Sequence, residues 1–191
     1  MRCRVTCRSG CEPCSWRGRL AAAAGALLLA ACSEGTVATS SYSYQEDVPG
    51  HEQYAASLGP TVVAVYNSPY PTADVVAAMQ GRTPGAQLTF IATPDPAATY
   101  RVILVFGESH AAPSTYCDAT AVSASPSPTG RLTVTAAFCA GKSILSDAVA
   151  RTNAIPSAHD PEFAGLMGDL LSALLPRNSP FTGTDMGGSG R

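Results

Sequence analysis

Between Leu20 and Ala31 every residue except Gly25 is alanine or leucine. Arg2, Arg4, Arg8, Arg17 and Arg19 precede this run, against a single acid, Glu12, and a polar stretch from Ser33 to Tyr44 follows it. The run is 12 residues long, short of the roughly 20 that a helix needs to cross a bilayer. A buried core helix is the other candidate. Arginines crowded at its entry and a polar exit make that a poor fit, because unpaired guanidinium groups stay in water. A basic segment, a short apolar run and small residues at its end are the pattern of an export signal. The folded domain must therefore be built from the residues that follow.

The run closes on Leu29-Ala30-Ala31-Cys32. In this position the tetrapeptide resembles the lipobox of bacterial lipoproteins, and the chain resembles small proteobacterial envelope lipoproteins over about its first 33 residues. The resemblance implies that residues 1–31 are removed. It also implies that the Cys32 thiol carries a diacylglyceryl group and that the new N-terminus is acylated. Thioether formation requires a nucleophilic thiolate, which cysteine supplies. Two or three acyl chains, at about 0.8 kcal/mol per buried methylene, hold a protein stably on a membrane. Ser33 after the cysteine, rather than Asp, implies sorting to the outer membrane, with the domain facing the periplasm. Upstream, Cys7, Cys11 and Cys14 have the C-x3-C-x2-C spacing that resembles the cluster-ligating run of radical S-adenosylmethionine enzymes. A segment removed on export cannot retain such a cluster, so no cofactor is expected. Cys3 belongs to the same discarded leader.

From Cys32 onward there are 7 basic and 13 acidic residues, a net charge of −6. An acidic chain is a poor match for nucleic acid or anionic lipid, so neither is expected as a partner. The expected partners are the membrane, through the acyl chains on Cys32, and another envelope protein.

Residues 32–59 read as the lipidated N-terminus and a flexible tether. They are rich in Ser, Thr, Gly and acids and lack a period of 2 or 3.6. The domain is expected over 60–176. Thr61 to Tyr66 suits a strand covered on both sides, and Ala73 to Gln80 a short helix ended by Gly81. Leu88 to Ala92 alternates as a second strand. Thr99 to Gly107 is the clearest strand, apolar on both faces and so central, with Arg101 near its end reaching water. Thr120 to Ser125 and Arg131 to Cys139 read as a hairpin turning at Ser127-Pro128-Thr129-Gly130. Ser143 to Thr152 is amphipathic at helical spacing through Ile144, Leu145, Ala148 and Val149. Asp160-Pro161-Glu162 is a helix start, and Phe163, Leu166, Met167, Leu170, Leu171, Leu174 and Leu175 form one stripe ending at Pro176. Residues 177–191 form a Gly/Ser tail, expected to be disordered. The order β-α-β-β-β-β-α-α implies an α+β domain. Its sheet is expected to be mainly antiparallel, with about four to five strands covered by helices on one face.

Cys117 and Cys139 are the two cysteines left besides Cys32. In an exported chain a spare pair implies a disulfide. Their spacing is not C-x2-C, and no histidine cluster accompanies them, so a metal site is not expected. Glu108-Ser109-His110 invites a hydrolase reading centred on the 108–116 loop. Neighbours on one loop seldom aim at each other, however, and Phe106-Gly107-Glu108-Ser109-His110 is not the G-x-S-x-G nucleophile elbow. His51 falls in the tether and His159 in a helix-entry loop, both read as solvated. The carboxylates Glu46 and Asp47 also fall in the tether, where nothing would desolvate them. The sequence thus points to a lipid-anchored, non-enzymatic accessory or interaction module, with a lipid-anchored hydrolase as the alternative.

Overall fold

The computed structural model describes residues 36–42, 47–92, 98–118 and 122–177. Residues 1–35, 43–46, 93–97, 119–121 and 178–191 lie outside the described residues, and with them the expected signal segment, Cys32 and Ser33. In chain order the elements are β1 (Thr36–Tyr42), α1 (Val48–Leu58), β2 (Thr61–Tyr66), α2 (Thr72–Met79), β3 (Phe90–Ile91) and β4 (Tyr100–Phe106). There follow β5 (Glu108–Ser109), a 3₁₀ turn (Pro113–Asp118), β6 (Ala124–Ser125), β7 (Arg131–Ala140), β8 (Ser143–Asn153) and α3 (Pro161–Leu174).

Six strands form one sheet in the order β1-β8-β7-β4-β2-β3, and β5 with β6 forms a two-stranded ribbon. The joints β1–β8, β8–β7 and β7–β4 are antiparallel, whereas β4–β2 and β2–β3 are parallel. The fold is α+β on a mixed sheet. Because side chains alternate along a strand, β4 divides its residues between two clusters. Val102, Leu104 and Phe106 join Val134, Ala136 and Phe138 of β7 in the larger one. That cluster also takes Val48 and Ala55 of α1, Val75, Val76 and Met79 of α2, and the α3 stripe from Phe163 to Leu174. Ile103 and Val105 join Ala137 and Cys139 in the smaller cluster, with Tyr116, Cys117 and Val122. Fully burying a side chain of Val, Leu, Ile or Phe contributes roughly 1.5–3 kcal/mol, so β4 and its partners carry much of the stability. α3 starts as its sequence implies, with the Asp160 carboxylate accepting from the Glu162 amide at 2.9 Å.

Three expectations are corrected. First, the segment read as a tether carries strand β1 and helix α1. Asp47-Val48-Pro49 places an Asp and a Pro at the helix start, as Asp160-Pro161 does, but the Asp47 side chain makes no capping bond. The buried stripe of α1 is Val48, Glu52 and Ala55, and a carboxyl at its centre hides the helical period. Second, Ser143 to Thr152 is a strand, not a helix. β8 pairs with β7 from Ala140↔Ser143 to Arg131↔Asn153, and β1 pairs with its other edge. The two strands turn through Gly141-Lys142, where Gly141 has φ 57°, a left-handed conformation that favours glycine in a two-residue hairpin loop. Third, of the expected strand Thr120 to Ser125, Ala124–Ser125 does not pair with Arg131 to Cys139, and Thr120 and Ala121 lie outside the described residues. β6 pairs with β5, and β7 pairs with β4 and β8. The second expected strand shortens to Phe90–Ile91.

Cys117 and Cys139 are joined, with Cα atoms 5.6 Å apart. The bond ties the 3₁₀ turn to β7 within the smaller cluster. Arg101 reinforces the same joint: its guanidinium donates to the Cys117 carbonyl and, at 3.0 Å, to that of Gly141. Arg101 therefore holds chain segments together rather than simply reaching water. The bridge closes a separation of 22 residues, for which chain entropy gives roughly 3 kcal/mol. Replacing both cysteines by alanine is expected to lower the unfolding free energy by about that amount in urea titrations; an unchanged midpoint would show that the bridge contributes nothing.

Candidate functional site

The loop after β4 separates its three chemistry-bearing side chains. Successive residues of a strand point to opposite sides, so Ser109 turns away from Glu108. Glu108 Oε1 accepts from the Thr133 hydroxyl at 3.0 Å. Ser109 Oγ donates to the Ala111 carbonyl at 3.2 Å. His110 Nε2 lies 2.7 Å from Ser125 Oγ on the surface. A working Ser–His pair needs a third group to orient the imidazole and a site where water is excluded. Among the described residues no carboxylate reaches His110, and the pair is exposed. The three residues 108–110 are thus brought to three different partners.

The other histidines are also placed. His51 lies in α1, not in a tether, with Nδ1 2.6 Å from the Tyr100 hydroxyl. Together with Asp47, Gly50 and Tyr54 they line a shallow cleft of about 440 Å³. His159 faces Asp74 at 3.5 Å in the open. Among the described residues no group of three His, Cys, Asp or Glu side chains could hold a metal ion.

One titratable group was illegible in the sequence. Glu52 is 1% exposed, and its Oε1 has no hydrogen-bond partner. The loop around Gly85 packs so closely that a Cβ there would lie 2.6 Å from Glu52 Oε2. Desolvation pushes the Glu52 carboxyl up from 4.5 to about 7, opposed by a hydrogen bond from the Ala86 backbone. The only signal in the sequence was its spacing from Val48 and Ala55, four and three residues away on the same helical face.

A second cleft, of about 470 Å³, opens at the carboxyl ends of the parallel strands β2 and β4. Asn67 to Pro69 after β2, Phe106-Gly107 at the end of β4, and Arg131-Leu132 at the start of β7 line it, with Ala124, Pro126 and Ser127. Asn67 has φ 55° and Gly107 φ 101°. At Gly107 a Cβ would stand 2.2 Å from the Ser125 carbonyl oxygen, so only glycine lets β6 close over the end of β4.

No family model matches the chain, and no curated protein sequence matches it. Two solved structures of the PelC dodecamer from Paraburkholderia phytofirmans are similar at low level. One, a leucine-to-methionine variant in space group C2, is 15% identical and covers 75% of this chain and 99% of its own, with a TM-score of 0.38. The other, in space group P6, is 14% identical and covers 74% and 97%, with a TM-score of 0.39.

The Glu52 environment has a measurable consequence. In the unfolded chain the carboxyl titrates near 4.5, and in the folded chain near 7. Below the first value both states are protonated and the group is neutral to stability. As pH rises from there to about 7 the unfolded chain releases its proton first, so stability falls, and the loss is complete above the folded value. At about 1.4 kcal/mol per unit the loss reaches at most about 3 kcal/mol. Unfolding midpoints of Glu52→Gln, measured from pH 4 to 9, are expected to lack this decline and to exceed wild type at pH 8. Parallel curves for the two proteins would assign the pH dependence elsewhere.

Proposed function

We propose that the mature chain is a lipid-anchored protein of the cell envelope, held by acyl chains on Cys32 at the outer membrane and facing the periplasm. There it acts as a non-enzymatic accessory or interaction module for another envelope protein. The observation that carries this reading is the joined pair Cys117–Cys139. Disulfides persist in oxidising compartments outside the cytosol, which agrees with an export signal ending in Leu29-Ala30-Ala31-Cys32. Ser33 favours the outer over the inner membrane. No described helix is long and apolar enough to cross a membrane; in this reading the acyl chains provide attachment.

The separation of Glu108, Ser109 and His110 onto three partners weighs against the hydrolase alternative on the 108–116 loop. Catalysis by such residues depends on a nucleophile, a base and an orienting acid sharing one geometry.

The test compares wild type with Cys32→Ala in cells fed an alkyne-bearing palmitate. Wild type is expected to be labelled, shortened to begin at Cys32, and recovered with outer membranes. The variant is expected to be unlabelled and to keep its leader. A labelled variant, or an unlabelled wild type, would overturn the anchor. Crosslinking of the wild type in intact envelopes is expected to trap an envelope protein, and recovery of the uncrosslinked chain alone would overturn the module.

A further inference from the structure

The cleft at the ends of β2 and β4 is a product of topology. β3 and β4, the next two strands after β2, lie on opposite sides of it. The chain leaving β2 enters α2, whose buried side chains join the larger cluster. The chain leaving β4 enters the 3₁₀ turn, whose Tyr116 and Cys117 join the smaller cluster on the other side of the sheet. Two adjacent parallel strands therefore send their connections apart, and a crevice opens between them. In sheets with parallel strands this is where ligands bind. The volume of about 470 Å³ falls within the range of small-molecule sites, roughly 300–1,000 Å³.

The walls are held in place before any ligand arrives. The Ser68 hydroxyl donates to the Tyr70 carbonyl at 2.9 Å and accepts from the Tyr70 amide at 3.0 Å. Tyr70 donates to the Ile155 carbonyl at 2.6 Å, and its ring packs edge-on to Phe106 and Phe163. Asn67 Nδ2 donates to the Val122 carbonyl at 3.3 Å, which leaves its Oδ1 available as an acceptor. Ser127 Oγ accepts from the Thr133 amide at 3.0 Å and keeps its proton to donate. Such preorganisation lowers the entropy lost on binding.

The lining is apolar at Pro69, Phe106, Pro126 and Leu132, and its one charged member is Arg131. No acid lies within ion-pair distance of Arg131 among the described residues. Its backbone is fixed at the start of β7 by pairing with Asn153 and by its amide bonding to the Pro128 carbonyl at 3.0 Å. A guanidinium with no acid partner among the described residues, at the edge of an apolar crevice in a chain whose processed form is net acidic, is the fork that a carboxylate fits. We propose that this crevice binds a small organic carboxylate, its apolar body against Phe106, Pro69 and Leu132 and its carboxylate on Arg131 and the Ser127 hydroxyl. The proposal goes beyond the anchor and the module reading and stands whether or not Cys32 is acylated.

The probe is radiolabelled 3-phenylpropionate, in equilibrium dialysis against the full chain as recovered from cells, with its empty detergent or nanodisc carrier as blank. Saturable binding at one site per chain is expected, with a Kd of about 1 mM or tighter. Arg131→Gln, an exposed substitution, is expected to weaken binding at least about tenfold, as is replacing the probe by 3-phenylpropionamide with the wild-type chain. Arg177→Gln, exposed and outside the crevice lining, is expected to bind as wild type. No saturable binding to the wild type, equal affinity of Arg131→Gln, or equal affinity for the amide would each overturn the proposal. The amide comparison needs no substitution, so it tests the carboxylate even if the variant folds poorly.

Discussion

The structure depends on β4 being apolar on both faces. A strand with Val102, Leu104 and Phe106 on one side and Ile103 and Val105 on the other leaves neither side free to meet water. It must lie inside a sheet, and each face must be covered. Its neighbours follow from this demand. β2 pairs with it in parallel through residues 62–66, and β7 in antiparallel through all seven of its residues. The larger cluster is assembled with α1, α2 and α3, of which α3 offers the long apolar stripe and α1 only Val48 and Ala55. The smaller one is assembled from a six-residue 3₁₀ turn and the chain that follows it.

That asymmetry explains where the covalent and polar reinforcement sits. A helix such as α3 satisfies its own backbone and delivers Leu and Phe side chains at every turn. A 3₁₀ turn buries few side chains and has poorer internal hydrogen bonds, so it gains little from burial to offset the entropy of being ordered. The bond between Cys117 and Cys139 and the two carbonyls held by Arg101 supply what the turn lacks. The guanidinium is half-buried, and its Nε has no partner. The joint therefore carries a desolvation cost of its own, tolerable because it fixes an otherwise weak lid.

The same contrast decides how much was legible in the sequence. β2, β4, α2 and α3 were readable because each carries an uninterrupted period and a recognisable start or stop. The disulfide followed from counting cysteines in a chain whose sequence reads as exported. α1 was missed because the centre of its buried face is Glu52, and a carboxyl is ordinarily scored as surface. β8 was misread because Ile144, Leu145, Ala148 and Val149 fit a helix stripe as well as a strand. What decides between them is non-local: β1 and β7 offer hydrogen bonds on both edges. The one local clue, Gly141-Lys142, is a hairpin loop that a helix starting at Ser143 would have no use for. Ala124–Ser125 was paired with the wrong strand because its sequence neighbour β7 is claimed along both edges by longer strands. The Glu108-Ser109-His110 loop was legible as chemistry, but its geometry was not. The hydrogen bonds that disperse it come from Thr133 and Ser125, which are distant in sequence.

The crevice at the ends of β2 and β4 shows why no motif announced it. Its lining comes from five separate stretches of chain, each of one to three residues. No spacing rule links Asn67 to Arg131. What brings them together is the parallel pairing of β2 with β4 next to the antiparallel pairing of β4 with β7. Parallel strands put their carboxyl ends side by side, and the antiparallel neighbour adds the beginning of its own strand at the same edge. Arg131 therefore arrives at the mouth of the crevice because β7 starts there. Had β7 run parallel to β4, its last residue, not its first, would lie at that edge. The mixed character of the sheet is thus what brings Arg131 and Phe106 to the same crevice. The functional potential of this domain follows from strand direction more than from any local pattern of residues.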